Sequence, residues 1–180
     1  MSVRFTGFDR ARVLLTVDPE WLLAPLFARQ IAGIPMSGPG IPEALTDPAP
    51  PAELRADPRA AVDWPRWWEA AVAFRPGGPP PRQSDLVAFS PALTRLWAAA
   101  MPEFDQWLAS RPRAGAGTGT EAGIIAAVDD PAPVTVQVLQ VPVLGTLLLR
   151  PERDRLVVSP AARGTDRYRA VLTELFAGRS

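Results

Sequence analysis

The amino-acid sequence predicts an α+β fold, because strand-like patterns lie near its two ends and helix-like patterns lie between them. This segregation favours α+β over a doubly wound fold, in which strands and helices alternate along the chain. The predicted architecture is a single domain over residues 1–180. Its antiparallel sheet combines an N-terminal hairpin with a C-terminal β-meander, and it packs against central helices and a C-terminal amphipathic helix.

The strand predictions rest on alternation of apolar and polar residues. Residues 3–17 alternate on both sides of a short polar stretch, GFDR, which is typical of a β-hairpin. Residues 133–143 and 145–160 predict three further strands, the last two joined by a tight turn within RPERD. The segment from Thr165 to Gly178 has one apolar face and a capping residue, and it predicts the closing helix.

The central helices are predicted at about 19–33, 57–74 and 90–111. Asp57 and Ser90 are each followed by proline, a pairing that favours a helix start. Trp64, Trp67 and Trp68 lie at helical spacing, and the apolar stripe continues past them, which favours core packing over a ligand groove. Trp64, at the helix entrance, is expected to be partly exposed.

Three segments rich in proline and glycine predict loops, at about 34–58, 75–83 and 112–120. The glycine run at 115–123 does not have the spacing of a dinucleotide-binding loop, and no lysine follows it. We therefore interpret it as a linker. Residues 121–128 fit a helix or a strand, with a helix favoured.

Composition narrows the chemistry that the chain can perform. It contains no His and no Cys, and all 19 basic residues are Arg, which is typical of a GC-rich bacterial genome. Catalytic triads with His, thiolate nucleophiles, zinc sites built on His or Cys, and Schiff-base chemistry therefore lack their residues. We predict no catalytic residue, no cofactor and no metal ligand.

The net charge and the hydropathy of the sequence limit the kinds of partner that the chain is expected to have. The formal net charge is zero, so no overall positive field favours nucleic acid. The longest apolar run, residues 21–28, is too short to span a bilayer, and the N-terminus does not have the pattern of a signal peptide. The sequence thus predicts a soluble cytoplasmic protein with neither a nucleic-acid partner nor a membrane span.

The best candidate for a polar site lies near the start of the last helix. Residues 150–180 contain seven arginines against four acidic residues. Arg163 and Arg167 flank Thr165 at that helix start, where guanidinium groups and the helix dipole would favour an anion. These three residues are predicted to contact an anion or a partner.

The leading hypothesis for function is a non-catalytic protein-binding module, such as an adaptor, immunity-type or accessory protein, whose proline-rich loops present contacts. One alternative is a small hydrolase or lyase that uses carboxylate and arginine chemistry alone. It would need two carboxyl groups in one cleft. The acidic candidates are Glu20, Asp63, Glu69, Asp85, Glu103 and Asp105. Another alternative is a structural subunit of a larger assembly, with the helix at 19–33 as an interface, and the oligomeric state is left open.

Overall fold

The computed structural model describes residues 2–7, 11–35, 38, 40–47, 54, 57–74, 81–111 and 119–178. It divides the chain into two compact units. The first unit contains residues 1–19 and 113–180, and the second contains residues 20–112. The α+β class is confirmed, whereas the single domain over 1–180 stays a prediction.

The secondary-structure elements follow one another along the chain in this order: β1 (Ser2–Gly7), β2 (Arg12–Val17), α1 (Glu20–Ile31), α2 (Pro58–Ala73), α3 (Gln83–Val87), α4 (Pro91–Ser110), α5 (Gly119–Ala126), β3 (Thr135–Gln140), β4 (Leu148–Glu152), β5 (Arg155–Val158), α6 (Pro160–Arg163) and α7 (Asp166–Phe176). The structure therefore resolves residues 119–126 as helix. No helix among the described residues is long and apolar enough to cross a membrane.

The first unit contains one sheet with the strand order β1-β2-β3-β5-β4. The predicted N-terminal hairpin is confirmed, since β1 and β2 are antiparallel with Ser2 opposite Val17. Strands β4 and β5 are also antiparallel, but β3 runs parallel to both of its neighbours, β2 and β5. The sheet is thus mixed, and the prediction of an antiparallel sheet is wrong.

The predicted C-terminal β-meander is also wrong, because β5 lies between β3 and β4. All four residues of β5 are buried, whereas β4 has no buried residue and exposes Arg150 and Pro151. A strand with both faces covered belongs inside a sheet. A strand that contains proline, which has no N–H to donate, belongs at its edge. The burial of these two strands therefore explains their order.

The core of the first unit joins the sheet to helices α5 and α7. It is built from apolar side chains of β2, β3, β5, α5 and α7, among them Leu15, Ile125, Val138, Leu172 and Phe176. The buried stripe of α7 confirms the predicted amphipathic C-terminal helix. The central helices belong to the second unit, and their packing against the sheet stays a prediction.

The second unit is built from α1 to α4 around a tryptophan-rich core, and it contains all six tryptophans of the chain. Trp64 and Trp67 are 0% exposed and Trp68 is 3% exposed, which confirms the core-packing interpretation. The expectation that Trp64 would be partly exposed is wrong. Its indole N–H donates to the Pro25 carbonyl at 2.7 Å, which fixes the ring between two helices.

Capping residues followed by proline start three helices of the structure. Asp57 and Ser90 begin α2 and α4 as predicted, accepting hydrogen bonds from the N–H groups of Arg59 and Leu93. Ser159 begins α6 in the same way. Since proline presets a helical φ and has no N–H to leave unpaired, this pairing specifies a helix start locally.

Proline also lies inside α1, where Pro25 provides no N–H for the Trp21 carbonyl four residues earlier. The side-chain amide of Gln83 donates to that carbonyl at 3.4 Å, and its amide oxygen accepts the Trp67 indole N–H at 3.0 Å. Gln83 thus joins α3 to both α1 and α2. A backbone group left unpaired by proline is satisfied by a side chain distant in sequence.

Replacing Ser159 by alanine is expected to destabilise the first unit by about 1–3 kcal/mol, because buried polar groups lose their partner. Its fully buried hydroxyl donates to the Gly145 carbonyl and accepts from the N–H groups of Leu147 and Ala162. Urea unfolding followed by circular dichroism measures the loss. Ser110→Ala is the control, since Ser110 is exposed and its hydroxyl bonds only to the Trp107 carbonyl. Equal effects of the two substitutions would contradict this role of Ser159.

Candidate functional site

The most developed polar arrangement in the first unit centres on an ion pair between Glu121 and Arg163. Arg163 donates from Nε to Glu121 Oε1 at 2.9 Å and from a terminal nitrogen to Oε2 at 2.7 Å. Two parallel hydrogen bonds between a guanidinium and a carboxylate make the strongest geometry for such a pair. Arg163 is therefore paired with the side-chain carboxylate of Glu121 in the same chain.

Two further side chains complete what we call the Glu121 cluster, which consists of Glu121, Gln140, Arg163 and Tyr168. The Tyr168 hydroxyl donates to Glu121 Oε1 at 2.7 Å. The remaining terminal nitrogen of Arg163 donates to the Gln140 side-chain oxygen at 2.7 Å. Glu121 and Tyr168 are 0% exposed, Gln140 is 8% exposed and the Arg163 side chain is 12% exposed, so the Glu121 carboxylate is closed to solvent and the guanidinium is nearly so.

Four elements bring the cluster together. Glu121 lies in the first turn of α5, Gln140 ends β3, Arg163 ends α6 and Tyr168 lies in the first turn of α7. Thr165 links the last two, because its hydroxyl donates to the Ala162 carbonyl and accepts from the Tyr168 N–H. Thr165 thus fixes the turn between α6 and α7.

The three residues predicted as an anion or partner site therefore have different positions and contacts in the structure. Arg163 is part of the Glu121 cluster, and Thr165 supports the cluster as the cap of α7. Arg167 is exposed on α7 and is not a member of the cluster. Contact of these residues with an external anion or partner stays a prediction, and an anion at Arg163 would have to displace Glu121.

Burial and charge set the protonation of the cluster. Burial alone lowers the pKa of Arg163, but hydrogen bonds and the charge of Glu121 outweigh it, so the pKa lies above its ordinary value. Burial raises the pKa of Tyr168, and the nearby Glu121 charge and hydrogen bond raise it further. At neutral pH the cluster therefore combines a guanidinium with an un-ionised phenol.

Sequence reasoning missed Glu121, Gln140 and the polar role of Tyr168. A signal for Glu121 was present, since it is the one charged residue in residues 119–128. A lone acidic residue in an apolar helix is seldom buried unless it is paired. Its partner Arg163 lies 42 residues away, however, and no local pattern connects them.

The acidic candidates for the enzyme alternative all lie in the second unit. Asp63 is half-buried and accepts a hydrogen bond from the Ser90 hydroxyl at 2.6 Å, and Glu103 is also half-buried. The other four are exposed: Glu20, Glu69, Asp85 and Asp105. Within the described ranges, no group of three or more acidic side chains could hold a metal ion.

The second unit exposes an apolar surface that we call the Phe89 patch, formed by Val62, Arg66 and Phe89. Val62 is 79% exposed and Phe89 is 36% exposed. The Arg66 guanidinium lies over the Phe89 ring, 4.2 Å from its centroid, within the range of a cation–π contact. Val62 and Arg66 are four residues apart on α2 and therefore share a helix face.

Comparisons of the chain with protein-family models, with curated proteins and with solved structures find no match. Its function is therefore inferred from its own geometry and chemistry.

The stability of the first unit is expected to fall above about pH 10, where tyrosine ionises in an unfolded chain. Tyr168 is the only tyrosine, and no His, Cys or Lys is present to titrate nearby. Because the folded pKa is raised, the unfolded state loses its proton first. The contribution of Tyr168 to stability is therefore complete below about pH 10. Above that pH, the free energy of unfolding drops by about 1.4 kcal/mol per pH unit as pH rises towards the folded pKa of Tyr168.

Denaturant unfolding between neutral and alkaline pH measures this decline, and phenolate absorbance should appear only on unfolding. Tyr168→Phe is the matched control, because it removes the ionising group and should flatten the alkaline decline. Phenolate absorbance that develops near pH 10 in the folded protein would contradict the buried hydrogen bond to Glu121.

Proposed function

We propose that the chain is a non-catalytic binding module that docks another protein through the Phe89 patch. The observation that carries this proposal is the exposure of Val62 and Phe89 around Arg66 on one surface of the second unit. Aromatic residues and arginine are enriched in protein interfaces and among the residues that dominate their energy.

The backbone beneath the patch is well supported, which favours a preformed binding surface. Ser90, the neighbour of Phe89, donates its hydroxyl to Asp63 on α2 and caps α4 by accepting from the Leu93 N–H. The Ser90 N–H donates to the Val87 carbonyl at 2.9 Å. Phe89 therefore lies at a corner joined to three helices, so a partner would have little backbone to order on binding.

The Glu121 cluster also supports a binding role over a catalytic one. Its carboxylate accepts three hydrogen bonds, from two atoms of Arg163 and from the Tyr168 hydroxyl. A catalytic carboxylate must reach a substrate proton within hydrogen-bond distance. Since Glu121 is 0% exposed, its geometry suits the support of α5, α6 and α7.

Substituting Phe89 by aspartate is expected to weaken partner binding at least about tenfold, because a charge replaces the aromatic ring of the patch. Val62→Asp should weaken it in the same direction. Affinity capture from the organism of origin with quantitative mass spectrometry identifies the partner, and titration of the purified partner gives the change in Kd.

Leu144→Asp is the matched control. Leu144 is an apolar residue of the first unit, 50% exposed, and lies outside the Phe89 patch. The control should retain the binding of the unmodified protein. Equal capture by the Phe89 and Leu144 variants, or a protein that captures no partner, would overturn the proposal.

A further inference from the structure

The two edges of the sheet differ in their capacity to accept another strand. Strand β4 forms one edge and contains Pro151 between Arg150 and Glu152, with a register shift against β5. Charged residues, proline and irregular pairing all hinder addition of a further strand. Strand β1 forms the other edge, and its sequence SVRFTG contains no proline and one charged residue, Arg4. Its pairing with β2 is regular from Ser2 to Gly7.

The register shows which main-chain groups of β1 point away from β2. The N–H groups of Arg12 and Asp18 donate towards β3. Because these directions alternate along a strand, the odd-numbered residues of β2 face β1. They lie opposite the even-numbered residues of β1. The outward N–H and C=O groups of β1 therefore belong to Val3, Phe5 and Gly7, and no strand in the described part of the chain pairs with them.

We propose that β1 pairs antiparallel with β1 of a second copy of this chain, about a two-fold axis at Phe5. This axis places Val3 opposite Gly7 and Phe5 opposite Phe5, so the outward groups of both strands form hydrogen-bonded pairs. The contact is self-complementary, as a two-fold interface requires. It extends the sheet of one copy into that of the other.

The charge of Arg4 and the length of the pairing favour the register with the axis at Phe5 over the neighbouring registers. With the axis at Phe5, each Arg4 lies opposite the neutral Thr6 of the other copy. An axis at Arg4 would use the same outward groups but would place the two arginines directly opposite each other, which is destabilising. An axis at Val3 would pair only residues 2–4. The register at Phe5 therefore gives the longest pairing without like charges opposite each other.

Size-exclusion chromatography with light scattering on the full chain, over about a hundredfold range of concentration, tests the dimer. Val3→Pro removes an outward N–H and leaves the pairing with β2 intact, as proline on an edge strand allows. The dimer Kd is expected to rise at least about tenfold, because the two-fold axis makes each copy lose a hydrogen bond. Circular dichroism verifies that the variant folds.

A charge-swap pair tests the register and does not depend on proline. Thr6→Arg places arginines opposite each other at both symmetric positions, and the dimer Kd should rise by about two- to tenfold. Adding Arg4→Glu to that variant places a glutamate opposite each new arginine and should restore dimerisation. Such a rescue is expected only from direct pairing of the two β1 strands.

A monomer at every concentration would overturn the proposal, and so would a dimer that Val3→Pro and Thr6→Arg leave unchanged. Failure of the double variant to recover would overturn the register at Phe5. These outcomes are independent of the Phe89 patch, since Phe89→Asp should leave the dimer intact.

Discussion

The first unit depends on the buried ion pair between Glu121 and Arg163. A carboxylate with no solvent exposure is costly unless it is paired and hydrogen-bonded, and here all three bonds are donated by side chains of α6 and α7. Together with the Tyr168 hydrogen bond, the pair therefore holds the first turn of α5 against α6 and α7. Through Gln140 it also reaches the end of β3, so one charged contact links three helices to the centre of the sheet.

In a chain without His, Cys or Lys, arginine side chains donate many of the hydrogen bonds that hold the interior together. Arg29, 6% exposed in the second unit, donates to the carbonyls of Pro42 and Glu43 and lies over the Trp64 ring. Burial lowers its pKa. Arg29 thus holds an irregular segment of chain against α1. The arginine fork suits this use because it presents several donors in a fixed geometry.

Features that depend only on residues close together in the sequence were predictable. The Asp57–Pro58 and Ser90–Pro91 pairs specify helix starts whatever surrounds them, and the apolar stripe of α7 specifies its buried face. Strand order depends on contacts distant in sequence, so it was not predictable in the same way. The contrast between RLVV in β5 and LLRPE in β4 indicates which of the two is internal. Nothing local indicates that β5 runs parallel to β3.

The same distinction applies to the candidate site. Arg163 and Thr165 were identified because a helix start with nearby arginines is a local pattern. Their partner Glu121 was not identified, since the pairing is created by the fold. The exposure of Trp64 was predicted wrongly for the same reason. Its position at a helix entrance indicates exposure, but its indole N–H donates to the Pro25 carbonyl, which lies 39 residues away in the sequence.

A double-mutant cycle on the Glu121–Arg163 pair tests the central claim most directly. Glu121→Leu and Arg163→Met should each destabilise the first unit by about 3–5 kcal/mol, because each leaves an unpaired buried polar group. The double variant should lose clearly less than the sum, with a coupling free energy of about 2 kcal/mol or more, since both charges are then absent. Strictly additive losses, or single losses below about 1 kcal/mol, would contradict the account.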